Sequence, residues 1–522
     1  MGETEGVFSS AKTPDPNNLS RARMATMNQS LKSVLSFLAL TNWLSTSSAS
    51  IVKGAKNSAQ HACDYFNEAL QSITTLPSES NYANLSTENW SATAWAQPAC
   101  IVQPASVPDV QHVVRTLTQL QVQFAVRSGG HNPSPLAANI NGGVLIDTSA
   151  LNEVTYDSSS GTVRVGSGNT WGDVYSALDP LNVTVAGGRS VGVGVTGLTL
   201  GGGLSYFSDL YGLVCDNVAE HEVVLANGSL VKASLHENPE LHWALKGGGN
   251  NFGIVTSFKF YTFASNPVWG GIKVYGLEQL PTIYAALAEY QTSPNKDPYA
   301  NLDLQAAVTN SSIGVLLNLI YLKPVESPPA FKVFYEIPTL QDTTKIQTMT
   351  EFLTGGVLPY VPRWEFLTTT FTPSTWLYAH LSEMFTSSSE VSDFGGITGG
   401  TLVVSMQPIS ESLVLAGEER GGNALGLQPT NQTWGMFTSG WYSSEDDPDA
   451  HSLGSSLNNQ TKKAAVNAGQ HLPYVFMNDA SHDQAVIASY GTENVKRMRD
   501  VQLKYDPGQV FQTLVPGGFK LP

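Results

Sequence analysis

The sequence predicts an α+β protein of two domains, and three observations carry that expectation. Between Phe124 and about Thr262, short β-branched runs alternate with glycine-rich turns. From Trp269 onward, longer runs alternate apolar and polar residues. The chain has 522 residues, more than one hydrophobic core ordinarily serves.

The first 50 residues read as a leader: polar and unpatterned to about Gln29, then Lys32, an apolar run from Val34 to Leu44, and small residues through Ser50. The run is too short to span a bilayer and has the form of a signal-peptide core, with a cut near Ala49 and a start at Met24 or Met27. A secretory route is the expectation, or an intracellular one if the leader is not a signal. Sequons at Asn84, Asn89, Asn182, Asn227, Asn310, Asn431 and Asn459 permit it.

Ser106 opens a helix in which Val110, Val113, Val114, Leu117 and Leu120 share one face, with Ser106 and Asp109 spaced as a capping pair. A strand at Phe124 to Arg127 follows. Further strands are expected at Val144 to Ile146, Val163 to Val165, Val183 to Val185 and Val223 to Leu225, with a helix starting near Trp171. In the second half a strand runs from Trp269 to Tyr275 and a helix from about Gln279 to Gln291. Leu302, Leu304, Ala306 and Val308 then alternate with Asp303 and Gln305, and Gly314 to Tyr321 returns across a turn at Asn310. This pattern predicts an antiparallel sheet with one face wet and the other covered by helices. A last helix, about Asn494 to Lys504, is stopped at Tyr505, Asp506 and Pro507.

A net charge of −16 and a pI near 5.0 argue against nucleic acid or an anionic membrane surface as partner. Cys63, Cys100 and Cys215 form no Cys-x-x-Cys, and no paired histidine ligands occur, so no metal site is expected. Cys215 reads as a buried thiol.

The chemistry concentrates in Arg127, Ser128, Gly129, Gly130 and His131, where an imidazole follows two residues that let backbone approach a ligand closely. Exposed N–H groups in such a loop form a concavity for a pyrophosphate. Three more glycine-rich turns follow, at Gly187 to Ser190, Val193 to Gly203 and Lys246 to Thr256. Gly188, Ser190 and Gly192 also satisfy the hydrolase elbow Gly-x-Ser-x-Gly, which requires a helix directly after it, and the glycines that follow argue against one. A nicotinamide Rossmann motif is disfavoured, since Gly166 and Gly168 lack the third glycine.

With these motifs the chain resembles the covalent flavoproteins of the vanillyl-alcohol-oxidase type, specifically the berberine-bridge-enzyme-like FAD-linked oxidoreductases in their fungal form. The likeness runs from about Cys63 to the C-terminus. Besides the turns above, it is carried by Trp90 and Ser91, Pro98 to Ile101, Ile146 and Asp147, Trp171, Asp216 and Asn217, Ala226 to Gly228, and Lys504 to Pro507.

The resemblance implies a two-subdomain PCMH-type FAD-binding domain over residues 51–267, with its core at about 95–265. A substrate domain over 268–470 follows, and a C-terminal segment over 471–522 returns to the first. It implies FAD attached through His131, with Arg127, Ser128, Gly129, Gly130, Ser190, Val193, Gly194, Gly197, Gly201, Gly202, Asn250, Gly253, Ile254, Val255 and Asn478 around it. Lys246, Asn250 and Asn251 are expected at its phosphate or ribityl region, and Cys63 with Cys100 as a disulfide. Many relatives make a second link through a cysteine where this chain has Ser190, and serine is a far weaker nucleophile, so a single attachment is expected. Val193 occupies a gate position associated with O2 access. The family's catalytic tyrosine after the asparagine is replaced by Asp479, which serves as base if burial raises its pKa, with Tyr206 as the other candidate. Tyr360, Trp364, Phe366, Trp376, Trp434 and Trp441 are candidate walls of an apolar pocket. The implied activity is hydride removal from an alcohol, amine or activated C–H of a secondary-metabolite-like small molecule, with O2 as acceptor, by a monomer. A carbohydrate oxidase and a flavin-retaining non-redox cyclase or binding protein are the alternatives.

Overall fold

The computed structural model describes residues 58–294, 296–309, 313–355 and 361–522. The leader, the turn and sequon at Asn310, and Tyr360 lie outside the described residues.

Three sheets are built in chain order. The first has four described strands in the order Thr74–Thr75, Cys100–Val102, Val144–Asp147, Phe124–Arg127, the last three parallel. The crossover is the helix Val107–Leu120, which starts where the sequence places it: the Ser106 side chain accepts from the Asp109 N–H, and Val110, Val113, Val114 and Leu117 are buried. A disulfide between Cys63 and Cys100 ties the helical residues 58–69 to this sheet. Cys215 is free and buried.

The second sheet has six described strands, all antiparallel: Val154–Asp157, Thr162–Gly166, Ile254–Ala264, Val218–Val224 and Leu230–Ser234 in that order, with Val183–Val185 on the far end of Ile254–Ala264. Trp171–Leu178 is the expected helix, closed by a capping box between Thr170 and Asp173. One element departs from expectation. Val195–Leu200 is helical despite its glycines, because Gly194 supplies the extended N-cap and Val195, Thr196, Thr199 and Leu200 are buried, so tertiary packing outweighs propensity.

The third sheet has nine described antiparallel strands, running Gln341–Asp342, Val268–Tyr275, Ile313–Tyr321, Ala300–Thr309, Thr401–Ile409, Gln432–Trp441, Arg363–Phe371 and His471–Leu472, with Lys345–Gln347 beside Val268–Tyr275. Its Leu302, Leu304, Val404, Met406, Leu367 and Phe437 share one core with Ile283 and Leu287, Leu377 and Leu381, and Leu457 of the helices Leu280–Thr292, Thr375–Ser387 and Asp447–Asn467. The opposite face is not wet as the alternation suggested. Asp303 and Gln407 on that face are 8 % and 1 % exposed, because the glycine-rich loops and the C-terminal segment close over it.

Two sequons are corrected by the same burial. Asn89 is 3 % exposed and its amide serves Arg127, Asn139 and Ala138. Both ends of the Asn431 amide are engaged, with Gln291 and Glu411. Asn84, Asn182, Asn227 and Asn459 are exposed.

Candidate active site

The largest question the fold answers is how loops from separate sheets meet. Ser128 to His131 leave the edge strand of the first sheet, and Val193 and Gly194 precede the short helix beside the second. The two runs touch backbone to backbone: a Cβ on Gly129 would lie 2.3 Å from the Gly194 Cα, so neither position accepts a side chain. Together they wall a cavity of about 400 Å³. Ser128, Gly129, Gly130, His131, Ser190, Val193, Gly194, Gly197, Asn250, Gly253, Ile254, Val255, Asn478 and Asp479 all line it.

Arg127, Gly201, Gly202 and Tyr206 do not line it. Arg127 lies behind the loop, 1 % exposed, donating to Asp147 at 2.6 Å, Glu88 at 2.9 Å, Asn89 Oδ1 and the Leu85 carbonyl. Its role is to anchor the loop. Gly201 makes room for Asn478, whose Oδ1 accepts from the Gly203 N–H at 3.0 Å while its Nδ2 donates to the Gly197 carbonyl. Tyr206 packs edge-on to Phe352, and its hydroxyl is pushed up to about 12 by burial, which unsuits it as a base near neutrality. Lys246 and Asn251 also serve the fold: the Lys246 ammonium donates to the carbonyls of Arg420 and Gly422, and the Asn251 amide to those of Gly248 and Phe519.

Among the described residues, His131 is the one histidine on the cavity wall. Burial pulls its pKa down to about 4, so the imidazole is neutral at ordinary pH and carries an available lone pair. Among the described residues, the N–H groups of Gly129, Gly130 and His131 have no acceptor, leaving a row of donors open beside it. Gly197 has no atom within 4 Å of where a Cβ would stand, so its Cα opens on the cavity.

At Asp479 burial raises the carboxyl to about 6, against the lowering effect of a hydrogen bond from Gln407 Nε2 at 2.7 Å and of the Arg189 charge. Arg189 in turn donates to Gln407 Oε1. Asp303, pushed up by burial, receives Gln305 Nε2 on one oxygen and has no partner on the other among the described residues. Arg189, Gln407 and Asp303 were not assigned from the sequence. Their signal was present: Arg189 is the one charge in a glycine run, and Asp303 alternates with core residues, a position first given to solvent.

Around this polar group the wall is apolar, with Leu198, Leu204, Phe366, Met436, Phe476 and Met477. Of the other candidate aromatics, Trp364 is buried beside Trp90, Trp434 packs tilted against Phe476 in the core, Trp441 donates to Asp447 on the helix side, and Trp376 is 58 % exposed on His380. Phe511, Val515, Gly518 and Phe519 of the C-terminal segment complete the cavity.

Comparison with known proteins agrees with this arrangement. Residues 98–234 match the model of an FAD binding domain. A bifunctional solanapyrone synthase from Alternaria solani is 37 % identical over 468 residues, covering 88 % of this chain and 89 % of that one. Among solved structures, 6-hydroxy-D-nicotine oxidase from Arthrobacter nicotinovorans superposes with a TM-score of 0.73 at 20 % identity, over 86 % of this chain and 97 % of that one. A glucooligosaccharide oxidase from Acremonium strictum, described with a 6-S-cysteinyl, 8α-N1-histidyl FAD, gives 0.73 at 18 % identity, over 88 % and 98 %. At these identities the structures speak for the fold.

Proposed function

Because the chain belongs to the FAD-dependent oxidoreductases of PCMH-type, berberine-bridge-enzyme-like fold, we propose that it oxidises a largely apolar small molecule at one alcohol, amine or activated C–H, with Asp479 as base. The observation that carries this reading is a carboxylate poised near neutrality on the wall of a cavity beside the apolar side chains Leu204, Phe366, Met436 and Phe476. An oligosaccharide would need hydrogen-bond partners along its length, and Leu204, Phe366, Met436 and Phe476 supply none. In this reading residues 51–267 hold the cofactor, 268–470 the substrate, and 471–522 contribute Asn478 and Asp479.

The residues present fit FAD. The open N–H groups of Gly129, Gly130 and His131 suit its diphosphate, and Val193, Leu198, Ile254, Val255 and Phe519 suit its ring systems. When bound, FAD supplies a two-electron acceptor for the substrate hydride. Asp479 takes the proton from the neighbouring O–H or N–H. Gln407 fixes the carboxylate by donating to Oδ2, and Arg189 fixes Gln407. The two electrons pass to dioxygen as hydrogen peroxide, with Val193 at the point of access.

His131 is the attachment residue, and the link is single. Its nitrogen would hold the cofactor through an N–C bond to the methyl carbon of the isoalloxazine. That bond would release one methyl hydrogen and the imidazole N–H hydrogen as two protons with two electrons, which dioxygen would take up as hydrogen peroxide. Ser190 adds no second link because its hydroxyl is not ionised at neutral pH.

Anaerobic mixing tests the reading. A panel of apolar alcohols and amines is compared with oligosaccharides, and flavin absorbance is followed. Bleaching by an apolar member is expected, and Asp479→Asn should slow it by about 10²-fold or more while FAD stays bound. Bleaching of Asp479→Asn at the wild-type rate would remove Asp479 as base. Substrate turnover without any bleaching would turn the reading to a non-redox cyclase.

A further inference from the structure

We infer that Trp90 is the positioning residue of the flavin-attachment reaction, holding the His131 imidazole in its bond-forming orientation by stacking; this rests on the attachment reading above. The two rings are 10° from parallel with centroids 4.2 Å apart. Among the described residues, no hydrogen bond from another residue holds either ring nitrogen of His131; the hydrogen bond the ring makes is to its own backbone. Reactive histidines are ordinarily oriented by a carboxylate or carbonyl on the second nitrogen. Here that device is reduced to the residue's own backbone, and the indole face is the neighbouring group that fixes the ring about its side-chain torsions.

The indole is itself held. The Trp90 backbone N–H donates to the Gly130 carbonyl at 3.0 Å, and Thr93 Oγ1 donates to that of Pro133, so residues 90–93 grip the chain on both flanks of His131. Trp90 also stacks with Trp364, 5.2 Å away and 13° from parallel. Trp364 is locked by its own indole N–H to the Val361 carbonyl and by its backbone N–H to Ser91 Oγ. An aromatic face also attracts the positive charge that an imidazole bears after it has formed the new bond and before it loses its proton.

The stack therefore acts on bond formation and not on cofactor recognition, and the two are separable by measurement. Apoprotein from flavin-starved cells is incubated with excess FAD, quenched in acid at intervals and read by in-gel flavin fluorescence. Reversible FAD affinity is measured by fluorescence quenching in the same variants on a His131→Ala background. Trp90→Leu is expected to bind FAD within about threefold of the background yet to form the acid-stable link at least tenfold more slowly, since misorienting a reacting group costs on that order. Trp90→Phe, which keeps a smaller face, should fall between Leu and the wild type.

Acid-stable flavin in Trp90→Leu at the wild-type rate would overturn the role of Trp90 and leave the attachment reading intact. If wild-type protein releases all its flavin in acid, the attachment reading itself fails. Should Trp90→Leu not fold, Trp90→Phe decides: incorporation at the wild-type rate would overturn the inference.

Discussion

Acidification tests the burial of His131 directly. Because desolvation holds its pKa at about 4, about nine-tenths of the ring is neutral at roughly pH 5 and nearly all of it at about pH 7. The neutral fraction falls by only about 10 % between the two, and the rate of covalent flavin incorporation should fall no more than that. A ring in water, titrating near 6.5, would be about three-quarters neutral at roughly pH 7 and about 3 % neutral at roughly pH 5, a loss of about 25-fold. The assay is the rate of acid-stable flavin formation in apoprotein saturated with FAD. Asp479 titrates at about 6, inside the same window. The series is therefore repeated in Asp479→Asn, where the flat profile should persist. A profile that halves near 6.5 in both proteins would show a solvated imidazole and refute the reasoning from burial.

Two further outcomes follow from the same geometry. Arg127→Met should destabilise the fold by about 3–5 kcal/mol, because Asp147, 1 % exposed, is left without its cation; a urea midpoint unchanged from wild type would count against the anchoring role. Ser190→Cys places a thiol on the cavity wall, and combined with His131→Ala it should retain flavin mass after acid denaturation, whereas His131→Ala alone should retain none.

Much of the cofactor side was legible in the sequence because its constraints are local. Glycines at 129 and 194 exist where two backbones touch, and the capping pairs at Ser106 and Thr170 mark helix starts. Short-range rules capture such features. Arg127, Lys246 and Asn251 were given to the ligand because charge and amide groups beside glycine loops resemble ligand contacts. Their partners, Asp147 across a strand pairing and the Arg420 and Phe519 carbonyls 174 and 268 residues away, fall outside any local window. Gln407 and Arg189 come together across more than two hundred residues for the same reason. Helix Val195–Leu200 was missed because glycine propensity was weighed without its buried face.

The period of two in the third sheet has one more consequence. Leu302, Leu304 and Met406 hold the helices, while on the reverse side Phe366 and Met436 line the cavity and Gln407 braces Asp479 on its wall. Core packing and the cavity side are thereby written on alternate letters of the same strands. A lineage bearing this scaffold is free to exchange one set and acquire new chemistry, without renegotiating the other.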